Sequence, residues 1–125
     1  MTAPEWRAGP KRAENWEVQV RRGSLELAIL AALWGGELYG LEILRTLAAN
    51  CALLVPEGTI YPLLSRLKSE GLLSSVWEEG EAGHPRKYYK LTPSGRRRAL
   101  EMARFWRSFS ANLAGMLAPL EKEER

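Results

Sequence analysis

The sequence predicts a mainly α fold with one small β hairpin and a long helix appended on its C-terminal side. Three observations carry that expectation. Ile60, Leu63, Leu64 and Leu67 fall at i, i+3, i+4 and i+7, one apolar helical face, and Gly71 follows where a left-handed cap would end it. From Leu73 the period drops to two. Leu73, Ser75 and Trp77 alternate with Ser74, Val76 and Glu78, and after a Gly- and Pro-containing loop (Glu79 to Pro85) Arg86 to Leu91 alternates again, with Tyr89 and Leu91 as the inward pair. Farther on, Ala99, Met102, Trp106, Phe109, Leu113 and Met116 recur at steps of 3, 4, 3, 4 and 3, a heptad-type seam. A helix with a small polar outer face, then a hairpin with a basic return strand, is a winged helix-turn-helix.

Taken in order, residues 1–15 hold two prolines and no apolar periodicity and read as an arm, with Trp6 and Trp16 as its packing residues. Trp16-Glu17-Val18-Gln19-Val20 alternates and is expected as a short extended segment. Ser24 suits an N-cap, with Glu26 complementing the dipole of a helix through Leu27–Trp34 that is apolar on nearly every side. Gly35-Gly36 ends it. That helix needs two covers, the second being the C-terminal helix of its own chain or of a partner. Leu38 to about Asn50 is the next helix, with Leu41, Leu44, Leu47 and Ala48 inward.

The third helix carries the most chemistry. Pro62 costs about 3 kcal/mol deep in a helix and little in the first turn. The helix therefore begins near Thr59, with Thr59 as N-cap, or near Glu57 with a bend. Either way Gly58, Thr59, Tyr61 and Pro62 sit at its N-terminal end, the end that enters a major groove. Tyr61 is expected at the nucleic acid; half-buried packing is its alternative. Thr92 then N-caps the last helix, Pro93 takes its first position and Pro119 stops it. The divisions that result are 1–22 for the N-terminal arm, 23–92 for the winged helix, 93–118 for a C-terminal dimerisation helix and 119–125 for a charged tail.

Charge placement narrows the function. The formal net charge is only +3, yet residues 1–55 hold six Lys/Arg and six Glu, and residues 101–125 four and four. Residues 56–100 hold eight basic groups against five acidic ones, so the whole excess lies on the third helix, the hairpin and the next helix start. That is the footprint a duplex requires. Phosphate contacts are expected from Arg66, Lys68, Arg86 and Lys87, and base-edge contacts from Thr59, Tyr61, Pro62 and Ser65.

Other classes are disfavoured. With one cysteine (Cys51), one histidine (His84) and no aspartate, the chain offers no disulfide, no multi-histidine metal site and no Ser-His-Asp set. No cofactor motif is present, so an enzyme is not expected. The longest apolar run, Leu27–Trp34, is too short to span a bilayer, and the N-terminus lacks a signal-peptide core, which reads as cytoplasmic. A winged-helix protein-interaction module and an RNA-binding winged helix are the alternatives to a DNA regulator.

GTIYPLLSRLKSEGLL (58–73), followed by PRKYYKLTPSG (85–95), resembles the signature of PadR-type transcriptional regulators. The likeness runs back to Arg22-Gly23-Ser24-Leu25-Glu26 and forward to about Leu117. Lys68 departs from it, standing where the family carries an acid. The resemblance implies a bacterial-type repressor that dimerises through its C-terminal helix on a pseudo-palindromic operator. It also implies an aromatic effector at the dimer interface, with Trp106 suited to stack it. Bulky indoles among the small residues Ala99, Ala103 and Ser110 leave a flat apolar slot. Plain packing of the seam is the other reading of Trp106.

Overall fold

The computed structural model describes residues 9–80 and 83–124; the first eight residues, Trp6 among them, lie outside it. The chain runs α1 (Gly9–Ala32), β1 (Leu38–Tyr39), α2 (Gly40–Cys51), α3 (Glu57–Ser69), β2 (Leu73–Glu79), β3 (Pro85–Leu91) and α4 (Pro93–Glu124). Helices α1, α2 and α3 close on one core. Ile29 and Leu30 of α1 and Leu33 just after it meet Ile43 and Leu47 of α2 and Ile60, Leu64 and Leu67 of α3, all within 2% of full burial. Each such side chain contributes about 1.5–3 kcal/mol of hydrophobic stabilisation. Tyr89 and Leu73 seal this core from the sheet.

The sheet is antiparallel, in the order β1-β3-β2. Ser75 lies opposite Tyr89 and Trp77 opposite Lys87, so the hairpin is in register from Leu73–Leu91 out to Glu79–Pro85. Gly71 does what its position suggested. At φ 78° it closes α3 with Leu72 N–H donating to the Leu67 carbonyl and Gly71 N–H to that of Lys68, a Schellman cap. Thr92 accepts the Gly95 N–H on its hydroxyl at 3.0 Å, capping α4 as expected.

Several expectations give way. Residues 16–20 are helical, part of a continuous α1, rather than extended. The alternation of Trp16, Val18 and Val20 also satisfies i, i+4 spacing between Trp16 and Val20, and Glu17 pairs with Arg21 at 3.5 Å one turn on. Ser24 is consequently mid-helix, its hydroxyl donating to the Val20 carbonyl at 2.9 Å instead of capping. The arm expected over 1–22 is thus helix from Gly9 onward.

Leu38–Tyr39 forms a strand rather than the start of a helix, because β3 offers it an open edge. α2 starts at Gly40 and turns Ile43 inward, leaving Leu41 39% exposed. Of the two starts open to α3, the earlier holds: Pro56 is its N-cap, and Pro62 lies inside the helix. Trp77, expected in line with Leu73, is 65% exposed because the hairpin runs beyond the core. Pro119 does not stop α4; Leu117, Leu120 and Glu121 carry the helix past it for the loss of one hydrogen bond.

α4 packs back along α1. Arg96 lies 4.3 Å over the Trp34 ring and donates to the Trp34 carbonyl at 3.3 Å, fixing the root of α4 to the end of α1. At 1.5 Å per residue α4 is about 48 Å long and α1 about 36 Å, so both outrun the small body they grow from.

Candidate nucleic-acid interface

The N-terminal half of α3 and the hairpin form the two sides of one cleft of about 410 Å³. Tyr61 supplies the helix side. Trp77, Arg86 and Lys87 supply the wing side, and Tyr39, Gly40 and the buried Tyr89 form the floor. The basic groups are held by aromatic faces. Arg86 lies 4.5 Å over Tyr39, and Lys87 Nζ stands 5.8 Å from the Trp77 ring and 5.7 Å from that of Tyr89. Neighbouring strand positions face opposite ways, so Arg86 goes to Tyr39 and Lys87 to Trp77. Burial, and after it the nearby Tyr61 phenol, pushes the Tyr89 hydroxyl above the ordinary tyrosine range. The Tyr89 ring therefore enters the cleft as a neutral phenol at physiological pH.

The outer face of α3 is open. Gly58, Thr59, Tyr61, Pro62, Ser65, Lys68 and Ser69 are all exposed, while Ile60, Leu64 and Leu67 are buried beneath them. Among the described residues Lys68, Arg86 and Lys87 have no carboxylate at salt-bridge distance. Arg66 is differently placed. Its guanidinium meets Glu70 at 2.9 Å and Glu26 of α1 at 3.5 Å. Arg98 of α4 stands 3.8 Å from the other oxygen of Glu26, which is buried and unpartnered by any hydrogen bond. One carboxylate thus ties α1 to α3 and α4. No spacing along the chain could have revealed that cluster, because its members are 40 and 32 residues apart. Trp77 was likewise missed as part of the cleft, although its pairing with Lys87 follows from hairpin register.

The seam residues lie along one side of α4 and divide by depth. Ala99 is buried and Met102 packs on the core, whereas Trp106, Phe109, Leu113 and Met116 are 44%, 48%, 41% and 74% exposed. Phe105 stacks on Phe109 with centroids 5.6 Å apart, and Trp106 lies 6.4 Å from Phe109. Between these rings and the middle of α1 opens a cleft of about 680 Å³, walled by Trp16, Val20 and Leu27 opposite Phe105, Trp106 and Phe109, with Arg98 and Glu101 beside them. Ala103 and Ser110 are half-buried on the same helix. Among the described residues no cluster of His, Cys or Glu could hold a metal ion, and no helix is long and apolar enough to cross a membrane.

Three helices on one core, an exposed small-residue helix face and a basic wing define a winged-helix protein of the DNA-binding class. The comparisons with known proteins carry this further. Residues 29–101, more than half of the chain, match the model of the transcriptional regulator PadR-like family. The chain belongs to that family, whose members are transcriptional regulators and not enzymes. It is 35% identical over 89 residues to a transcriptional regulator of Mycobacterium tuberculosis, covering 66% of this chain and 81% of that one. A PadR family regulator from Eggerthella lenta superposes with a TM-score of 0.75 at 32% identity, over 85% of this chain and 92% of that one. A PadR-like regulator from Bacillus cereus gives 0.73 at 33% identity, over 80% and 97%.

Proposed function

We propose that this protein is a homodimeric repressor that lays α3 in the major groove of a pseudo-palindromic operator and rests its wing on the adjacent backbone. The cleft supports this best, because it joins the open face of α3 to Arg86 and Lys87 as one surface. On this reading Thr59, Tyr61, Pro62 and Ser65 meet base edges, and Lys68, Arg86 and Lys87 meet phosphates. Arg66, drawn to two carboxylates, orients the helix more than it touches DNA. Residues 23–92 are the DNA-binding unit and 93–118 the dimerisation helix, with the α1 extension beside it. The exposed run of Phe105, Trp106, Phe109, Leu113 and Met116 favours a second copy, since large apolar side chains left in water side by side along one helix mark an interaction surface. An aromatic effector suits the 680 Å³ cleft at Trp106, a cleft that Ala103 does not line, and would release the operator by favouring one spacing of the recognition helices.

Fluorescence anisotropy on duplex DNA at increasing salt tests the reading. A regulator of this design loses affinity steeply, with a slope set by its phosphate contacts. A winged-helix interaction module would bind no duplex, and an RNA-binding one would prefer single strands or A-form duplex. Titrating planar aromatics while following Trp106 quenching tests the effector; in Trp106→Leu both quenching and operator release should vanish.

A further inference from the structure

We infer that Gly40 is a positioning residue for DNA recognition: its missing side chain is the socket that holds the Tyr61 phenol at the mouth of the cleft. This rests on the proposed DNA-binding face. Gly40 is buried, opens α2 and belongs to the cleft floor. A Cβ built on it would lie 2.6 Å from Tyr61 Cε1, 2.7 Å from its hydroxyl oxygen and 2.9 Å from its Cζ. Non-bonded carbons settle at about 3.5–4.0 Å, so even a methyl group and the ring in its present place exclude each other. All three nearest atoms belong to Tyr61, so the conflict is with that ring and not with backbone.

The backbone itself does not call for glycine. Gly36, Gly71 and Gly83 have positive φ; Gly40 does not. An alanine there would be conformationally ordinary and, at the head of a helix, no less favourable than glycine. What glycine supplies is space, and the space is filled by the distal half of one phenol. Tyr61 is carried by α3, whereas Gly40 is carried by α2 and sits under the ring. The first helix of the helix-turn-helix thereby fixes where the second presents its hydroxyl. A Cβ would swing the ring outward about its own χ angles and leave both helices in place.

Gly40 is covered by the ring and is not itself a contact. Substituting it therefore alters Tyr61 without altering the chemistry of the surface. The test uses full-length protein and a fluorescein-labelled duplex of the DNA immediately upstream of its own gene. It compares wild type, Gly40→Ala, Tyr61→Ala and the double variant, each with its melting temperature. Gly40→Ala should weaken binding about tenfold, the scale of one lost polar contact to DNA, with a melting temperature equal to or above wild type. In the Tyr61→Ala background the same substitution should change affinity by less than about twofold, the non-additivity of a pair in contact.

Should Gly40→Ala fold poorly, Tyr61→Ala must restore folding, because removing the ring removes the clash. Wild-type affinity in Gly40→Ala beside weakened Tyr61→Ala overturns the socket alone. Equal losses from Gly40→Ala in both backgrounds, or no rescue of folding, overturn it as well. A wild type that binds, with Tyr61→Ala unaffected, removes the role of Tyr61 and the socket with it. A wild type that binds no duplex removes the DNA reading itself, and both fall.

Discussion

Glu26 is the residue on which three helices meet, and its energetics set what Arg66 can do. Its side chain is 19% exposed, while those of Arg66 and Arg98 are 52% and 49% exposed. Half-exposed guanidinium groups are screened, so Glu26→Ala should cost on the order of 1 kcal/mol, nearer a surface pair than a buried one. Arg66→Ala should lower thermal stability by a similar amount, read in a melting curve, and leave the salt slope of duplex binding unchanged. Lys68→Ala should do the reverse, lowering the slope by about one with stability intact. A slope change from Arg66→Ala would put its guanidinium on a phosphate after all. Ala52 makes a separate case. At φ 54° it caps α2 in the left-handed region, where a Cβ costs about 1–2 kcal/mol. Ala52→Gly is expected to raise stability by about 1 kcal/mol in urea unfolding, and a loss would show that residue 52 carries no strain.

At the scale of elements, α1 is where sequence and structure part most. Gly23 lies inside it with no atom within 4 Å of its would-be Cβ. Gly23→Ala should therefore stabilise by about 0.5–1 kcal/mol, the helix-interior difference between the two residues. No effect would mean that the helix stops short of residue 23, as an arm over 1–22 requires. The elements nearest the core were legible, because a buried face imposes its period on the chain. Ile60, Leu64 and Leu67 are buried as their spacing asked, and Gly71 and Thr92 cap as their types asked. Elements that leave the core lose that discipline. Val18 and Val20 are 44% and 41% exposed, so nothing buried selected between their two readable periods. The two-residue β1 exists only because β3 lies beside it, a fact of tertiary structure. In the cleft, Tyr61, Arg86 and Lys87 could be picked from composition and position. Tyr39 and Gly40 could not, since only folding brings them beside Tyr61, whereas Trp77 follows from its hairpin pairing with Lys87.

For the whole molecule the central matter is the proposed two-fold dimer. The basic cleft lies between α3 and the wing, and the exposed apolar run follows α4 out from the body. On the proposed reading the first of these surfaces takes a duplex and the second another copy of the chain. Phe109→Glu places a charge among Phe105, Trp106 and Leu113 and should yield monomers by sedimentation, with operator binding lost. A dimer that persists and binds normally would move the interface elsewhere. Two copies related by a two-fold axis present two recognition helices to one face of the duplex. Hydroxyl-radical footprinting on the DNA upstream of the gene tests this most directly. The expected result is two protected patches of matching sequence in inverted orientation, centred about 34–36 Å apart or at a multiple of that spacing. A single unpaired patch, or none at salt low enough for phosphate contacts to hold, would contradict it.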